Sequence, residues 1–183
     1  VINAGVSTTL PWLWQDQYYP WPLQNVTNSD SFVNGLHRWG FSFWIPDSPA
    51  VRPAYYAISA IGRRFSPPPT SAAASVVATT GYSGGVAIAA LAGQGADLTF
   101  RAVLLVNTNA TAAAAVTVQL SQYVCNCVGS QAMQRYAYDP ANVPPSGAAP
   151  LPLPPSGTYD GSGAPLTDTV PAGGVVVWST YVA

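Results

Sequence analysis

From residue 73 onward, apolar residues recur at every second position in short runs, and most runs end in Gly, Asn or Pro. Val86 and Ile88 alternate with alanines. Leu98, Phe100, Leu104 and Val106 share one parity, and Val116, Val118 and Leu120 repeat the pattern. A period of two places alternate side chains on one face of an extended chain. Residues 76–79, 131–138 and 174–182 complete the set, and residues 81–85 read as a hairpin turn. Short alternating runs separated by turn residues predict a mainly β chain, with an antiparallel β-sandwich over 73–183. Within it, residues 144–163 are rich in Pro, Ser and Gly without an apolar period, which predicts a long extended surface loop.

Residues 1–66 read differently, as a smaller aromatic-rich α/β segment. Residues 1–6 fit a strand. Residues 10–23 carry Trp12, Trp14, Tyr18, Tyr19 and Trp21 between Pro11, Pro20 and Pro22, a proline density that excludes a helix. Ser29, Asp30 and Ser31 offer N-caps for a short helix through Trp39, with Phe32 and Leu36 on one face and Gly40 as its stop. Residues 41–45 fit a short strand and 46–49 a turn. A second helix is predicted over 53–65: Pro53 suits a first turn, Ala54, Ile58, Ile61 and Phe65 fall at helical spacing, and Arg63 and Arg64 suit the negative C-terminal end. Residues 67–72 form a Pro-rich linker.

Only 7% of the 183 residues are charged, against about 25% in an average soluble domain. All six basic residues are arginine and all seven acidic ones aspartate, for a net charge of −1. Such a balance gives no electrostatic footing for nucleic acid or an anionic membrane. The longest apolar runs fall far short of the ~20 residues of a spanning helix. Solubility at so low a charge is expected to come from covalent glycans or from burial in an assembly. The sequons Asn25-Val26-Thr27 and Asn109-Ala110-Thr111 are candidate glycan acceptors. The start, Val1-Ile2-Asn3, has neither an initiator Met nor a signal peptide, the expectation for a processed secreted chain or a fragment. Together these features place the chain outside the cell, secreted or at the surface.

Residues suited to chemistry are sparse. Cys125 and Cys127 flank Asn126, and three states stay open for them: a strained local disulfide, bridges to another chain, or two buried thiols. Two thiols and one histidine are too few for a closed zinc site, so no metal or cofactor is expected. Asp16 and Asp47 sit in Pro-bounded aromatic loops, where turn formation is the ordinary role of aspartate. His37 lacks the partners of a catalytic triad. The cluster Trp12, Trp14, Tyr18, Tyr19 and Trp21 offers flat faces for a sugar ring or an interface, against the ordinary reading of a small packed core. Ser66-Pro67-Pro68-Pro69 resembles the wall-protein motif whose prolines are hydroxylated and O-glycosylated, which makes Pro67, Pro68 and Pro69 candidates.

The order of elements resembles a known arrangement. Gly40-Phe41-Ser42-Phe43-Trp44, a Pro-rich turn, then Arg52-Pro53-Ala54-Tyr55-Tyr56-Ala57-Ile58, then a sandwich ending in Pro171-Ala172-Gly173-Gly174-Val175-Val176-Val177-Trp178, is similar to the C-terminal end of retaining (β/α)8-barrel glycoside hydrolases, the heparanase-like enzymes among them. The resemblance implies a last barrel strand, its helix, and a β-sandwich whose closing strand returns to the barrel. It also implies a missing catalytic pair. Those enzymes use two carboxylates about 5 Å apart, both glutamates, and this chain has no glutamate. The leading expectation is a non-catalytic extracellular glycoprotein module. It would serve as a structural subunit of a cell-surface, wall or filament assembly, packed against other copies or a missing N-terminal chain, with residues 1–6 as a candidate donated strand. The alternatives are a C-terminal fragment or subunit of a glycoside hydrolase, and a carbohydrate-binding module.

Overall fold

The computed structural model describes residues 17–18, 32–33, 36–37, 53–65, 74–77, 79, 85–93, 100–120, 132–143, 153–161 and 163–181. Three two-residue strands, β1 (Gln17–Tyr18), β2 (Phe32–Val33) and β3 (Leu36–His37), form a small antiparallel sheet in the order β1-β3-β2. The helix expected through Trp39 is therefore corrected to strands. In the observed register Phe32 faces His37 and Val33 faces Leu36, so Asn34-Gly35 is the sequence between paired strands. Asn-Gly is among the strongest hairpin signals, and it outweighs the single Phe32–Leu36 spacing that suggested a helix.

The main body begins at the helix α1 (Pro53–Arg64), whose last turn carries Arg63 and Arg64 as expected. Eight strands follow: β4 (Ala74–Val77), β5 (Val86–Gly93), β6 (Arg101–Asn107), β7 (Ala114–Val118), β8 (Met133–Tyr138), β9 (Gly157–Tyr159), β10 (Leu166–Val170) and β11 (Val175–Ser179). Six of them form one antiparallel sheet, β4-β5-β6-β11-β8-β9, and β7 and β10 pair as a separate ribbon. The fold is mainly β and antiparallel. Two strands had no clear counterpart in the expected runs. β9 lies inside the predicted 144–163 loop, where it pairs Met133 with Tyr159. β10 was concealed because Asp168 interrupts an otherwise regular Leu166–Val170 alternation.

β11 organises the body. It pairs on one side with β6, Val177 opposite Leu104, and on the other with β8, Val177 opposite Tyr136. All five of its residues are buried. Val175 and Val177 face α1, in a core with Ala60, Phe65, Phe100 and Leu104. Val176 and Trp178 face the ribbon, in a core with Val103, Leu105, Met133, Leu166 and Val170. A strand covered on both faces has no polar side, which is why Val175-Val176-Val177-Trp178 reads as an unbroken apolar run. Each fully buried valine contributes roughly 1.5–3 kcal/mol relative to exposure.

The chain passes between sheet and ribbon four times, and two of these crossings, the one after β6 and the one at the β10–β11 turn, lie side by side. In the latter Gly173 has φ +60°, and Gly174 N–H donates to Pro171 O at 2.9 Å. A Cβ on Gly174 would lie 2.8 Å from the backbone oxygen of Tyr138, so only glycine lets this turn sit against β8.

Candidate functional site

Two polar clusters sit on the ribbon side of the sheet. Asp168 occupies the inward parity of β10 between Leu166 and Val170, both buried. Its carboxylate would be costly there without partners. Arg135 Nε donates to both of its oxygens at 3.0 Å, and Arg135 Nη2 lies 3.0 Å from Oδ1. Trp178 Nε1 donates to Oδ2 at 2.7 Å and Thr169 N–H donates to Oδ1 at 2.6 Å. Asp168 is 6% exposed and Arg135 17%. Arg135 also donates through Nη1 to Ser156 Oγ at 2.9 Å and through Nη2 to Thr169 O at 3.1 Å. One guanidinium therefore ties β8, β10 and the approach to β9 together. A carboxylate that accepts so many hydrogen bonds serves as a structural anchor.

The second cluster lies where the β6–β7 and β10–β11 crossings meet. Asn107 ends β6 on the inward parity of Val103 and Leu105 and is 2% exposed. Its Nδ2 donates to Ala112 O at 2.9 Å, Val170 O at 3.2 Å and Pro171 O at 3.0 Å. Its Oδ1 accepts from Asn109 N–H at 2.9 Å. One buried amide thus fastens the β6–β7 and β10–β11 passages to each other.

Of the residues singled out in the sequence, the described body contains Asn109, which is exposed in the turn after β6. Tyr18 lies on β1 opposite Leu36, and His37 on β3 opposite Gln17. Trp12, Trp14, Tyr19, Trp21, Asn25, Pro67, Pro68, Pro69, Cys125, Cys127, Asp16 and Asp47 lie outside the described residues. Among the described aspartates, Asp139 caps the 3-10 turn Pro140–Asn142, accepting from Ala141 N–H at 2.9 Å and Asn142 Nδ2 at 2.6 Å. Among the described residues no group of three His, Cys or Asp side chains could hold a metal ion. On the helix side, the Arg64 guanidinium lies 4.3 Å from the centre of the buried Tyr136 ring, a cation–π contact. Burial is the first cause, and the neighbouring Tyr55 the second, of a raised pKa at Tyr56; burial and then Asp139 raise that of Tyr138.

Sequence reasoning missed the Arg135–Asp168–Trp178 and Asn107 clusters. A signal for both was present: a polar residue at an apolar parity of a strand, Asp168 between Leu166 and Val170, and Asn107 after Val103 and Leu105.

No family model matches the chain, and no curated protein matches it. Among solved structures it is similar to a GH30 endoxylanase from Clostridium papyrosolvens C71, with a TM-score of 0.41 and 15% identity over 58% of this chain and 23% of that one. It is also similar to CelM2, a bifunctional glucanase-xylanase from a metagenome library, with a TM-score of 0.38 and 19% identity over 52% of this chain and 15% of that one. The chain thus spans less than a quarter of the length of each of these two enzymes, a xylanase and a glucanase-xylanase.

Proposed function

We propose that this chain is a non-catalytic extracellular β module of the kind that follows the barrel in glycoside hydrolases. One observation carries the reading. The helix beginning Pro53-Ala54-Tyr55-Tyr56 packs through Ala60 and Phe65 on Val175 and Val177 of the last strand. Two of the three stretches that bear the family resemblance, the helix and the closing strand, therefore share one core. Two of the seven aspartates add support, Asp168 as an ion-paired anchor and Asp139 as a cap, and the chain has no glutamate, the residue that the resembled enzymes use for both members of their catalytic pair.

The test has two parts. The purified 183 residues are incubated with soluble xylan and mixed-linkage glucan, and reducing ends are counted; the expected result is no release above a boiled control. The transcript upstream of Val1 is then read, and the expected result is a (β/α)8 barrel with glutamates at its strand ends. Turnover by these residues alone, abolished by Asp16→Asn or Asp47→Asn, would overturn the reading.

A second reading, a structural subunit of a wall or filament assembly, draws on the ribbon. Neither outer edge of β7–β10 has a strand partner among the described residues, and open edges accept strands from other chains. Light scattering separates the two readings: concentration-dependent oligomers favour the subunit, a dispersed monomer the enzyme tail.

A further inference from the structure

The geometry points to Asn109 as the carrier of an N-linked glycan that covers the crossing end of the body, with its neighbour Asn107 excluded from that role. The inference goes beyond the module reading and rests on it only for passage through a secretory compartment. Asn109 is anchored by its backbone: its N–H donates to Asn107 Oδ1 at 2.9 Å, and its carbonyl accepts from Gly173 N–H at 2.7 Å. Its side-chain Oδ1 accepts three hydrogen bonds, from Thr111 N–H at 2.9 Å, Thr111 Oγ1 at 2.9 Å and Ala112 N–H at 3.2 Å. The oxygen is thus committed to the turn, while Nδ2 has no hydrogen-bond partner among the described residues. Residues 108–113 are all exposed. A substituent on Nδ2 therefore breaks no bond of the fold and displaces no packed side chain.

Asn107, two residues earlier, is the reverse case. Its Nδ2 donates to three carbonyls and it is buried, and position 109, where its sequon would need a hydroxyl, is Asn. The same short stretch holds one amide whose nitrogen the fold uses and one whose nitrogen it leaves to solvent.

Transfer needs a polyprenyl-diphosphate-linked oligosaccharide as donor. The Nδ2–C1 bond forms as the C1–O bond to the diphosphate breaks. The polyprenyl diphosphate leaves with the electron pair, and Nδ2 loses one proton. A branched glycan at this position sits beside the β10–β11 turn, where a Cβ on Gly173 would meet Ala110 and Pro140 at 3.7 Å. It covers the end of the sheet where β6 and β8 finish and β11 begins, so contacts with another copy or with a preceding domain are made elsewhere.

The test secretes the full chain from eukaryotic cells, treats it with peptide N-glycosidase in heavy-oxygen water, and sequences the tryptic peptide from Ala102 to Arg135 by mass spectrometry. Expected is heavy-oxygen aspartate at position 109 in most copies. Asn109→Gln and Thr111→Ala should each lose one glycan from the intact mass, and Thr111→Ser should keep it. Secreted wild-type chain with Asn109 recovered unmodified in most copies overturns the proposal without requiring any variant to fold. Sugar hydrolysis by the chain would overturn the module reading and leave this result untouched.

Discussion

The two faces of the six-stranded sheet are built from the same strands and held by different means. On the helix face, alternate residues of β11, β6 and β8 meet α1 through apolar surface, Val177, Leu104 and Tyr136 against Ala60, Phe65 and Arg64. On the ribbon face, Val176, Trp178, Val103 and Leu105 meet, among the described residues, chiefly the two short strands of the ribbon. A two-stranded ribbon is marginal by itself, and its inward parity supplies only Leu166 and Val170 as large apolar groups from β10. The deficit is made up by the Arg135–Asp168–Trp178 and Asn107 clusters, whose polar groups fix position and register. The comparison teaches that a thin layer needs directional bonds where a helix can rely on area.

The comparison breaks most directly at its two strongest points. Asp168→Ala leaves a partly buried guanidinium and an indole N–H without their carboxylate acceptor and is expected to cost about 3 kcal/mol. That is a fall in Tm of roughly 10 °C for a chain of this size. Phe65→Ala, which opens a cavity between α1 and β11, is expected to cost a similar ~3–5 kcal/mol. The two losses differ in how they can be repaired. Adding Arg135→Met to Asp168→Leu should bring stability back to within about 2 kcal/mol of the parent, because both charges leave together, the Thr169 and Ser156 partners are exposed and turn to water, and the Trp178 N–H is the less exposed donor left without its acceptor. No partner change should restore Phe65→Ala, since the missing quantity there is volume. Chemical denaturation of the four proteins settles the matter; an irreparable Asp168 variant would mean that the ribbon, too, is held by area.

Asn107→Ala is the next largest effect. Three carbonyls lose one shared donor, and the expected cost is about 2 kcal/mol, seen as a lower denaturant midpoint. Because those carbonyls belong to the β6–β7 and β10–β11 crossings, hydrogen exchange should accelerate in β7 and β10 while β5, β6 and β11 stay protected. Uniform acceleration over all strands would show that ribbon and sheet open as one unit.

Much of the larger sheet was legible in the sequence, because β4, β5, β6, β8 and β11 lie in runs whose periodicity or apolar continuity follows from being covered on one face or both. The start of α1 was legible from Pro53 and its last turn from Arg63 and Arg64. The ribbon was less so. β7 showed through Val116 and Val118, but β10 carries Asp168 where an apolar residue was expected, and its strand character depends on Arg135 in another strand. β9 has no apolar period at all: Gly157-Thr158-Tyr159 is extended because β8 offers an edge to pair with. At β2 and β3 the Phe32–Leu36 spacing is a single helical match, and the pairing of Phe32 with His37 follows the Asn34-Gly35 signal instead. The polar clusters stayed hidden for a related reason: a buried charge is meaningful only with its partner, and pairing between residues as distant as Arg135 and Asp168 is a property of the topology.

The smallest expected effect refines the apolar face. Tyr56 is buried in α1, and Tyr138 is partly buried against the core of Phe65, Leu104 and Val177. Burial raises the pKa of both above the ordinary 10.0, with Tyr55 adding to the shift at Tyr56 and Asp139 at Tyr138. A raised folded-state pKa means that the unfolded chain releases these protons first as pH climbs. The stabilisation is therefore complete below about pH 10 and declines as pH rises through the folded values. Denaturant midpoints measured from about pH 8 to about pH 11 should fall at the alkaline end, and Tyr56→Phe with Tyr138→Phe should flatten the curve. If the double variant retains the full alkaline loss, the helix face is not its source. The sensitivity would then lie outside the two groups whose burial sets the helix face apart, and the distinction between a face held by area and one held by bonds would have to be drawn without reference to pH.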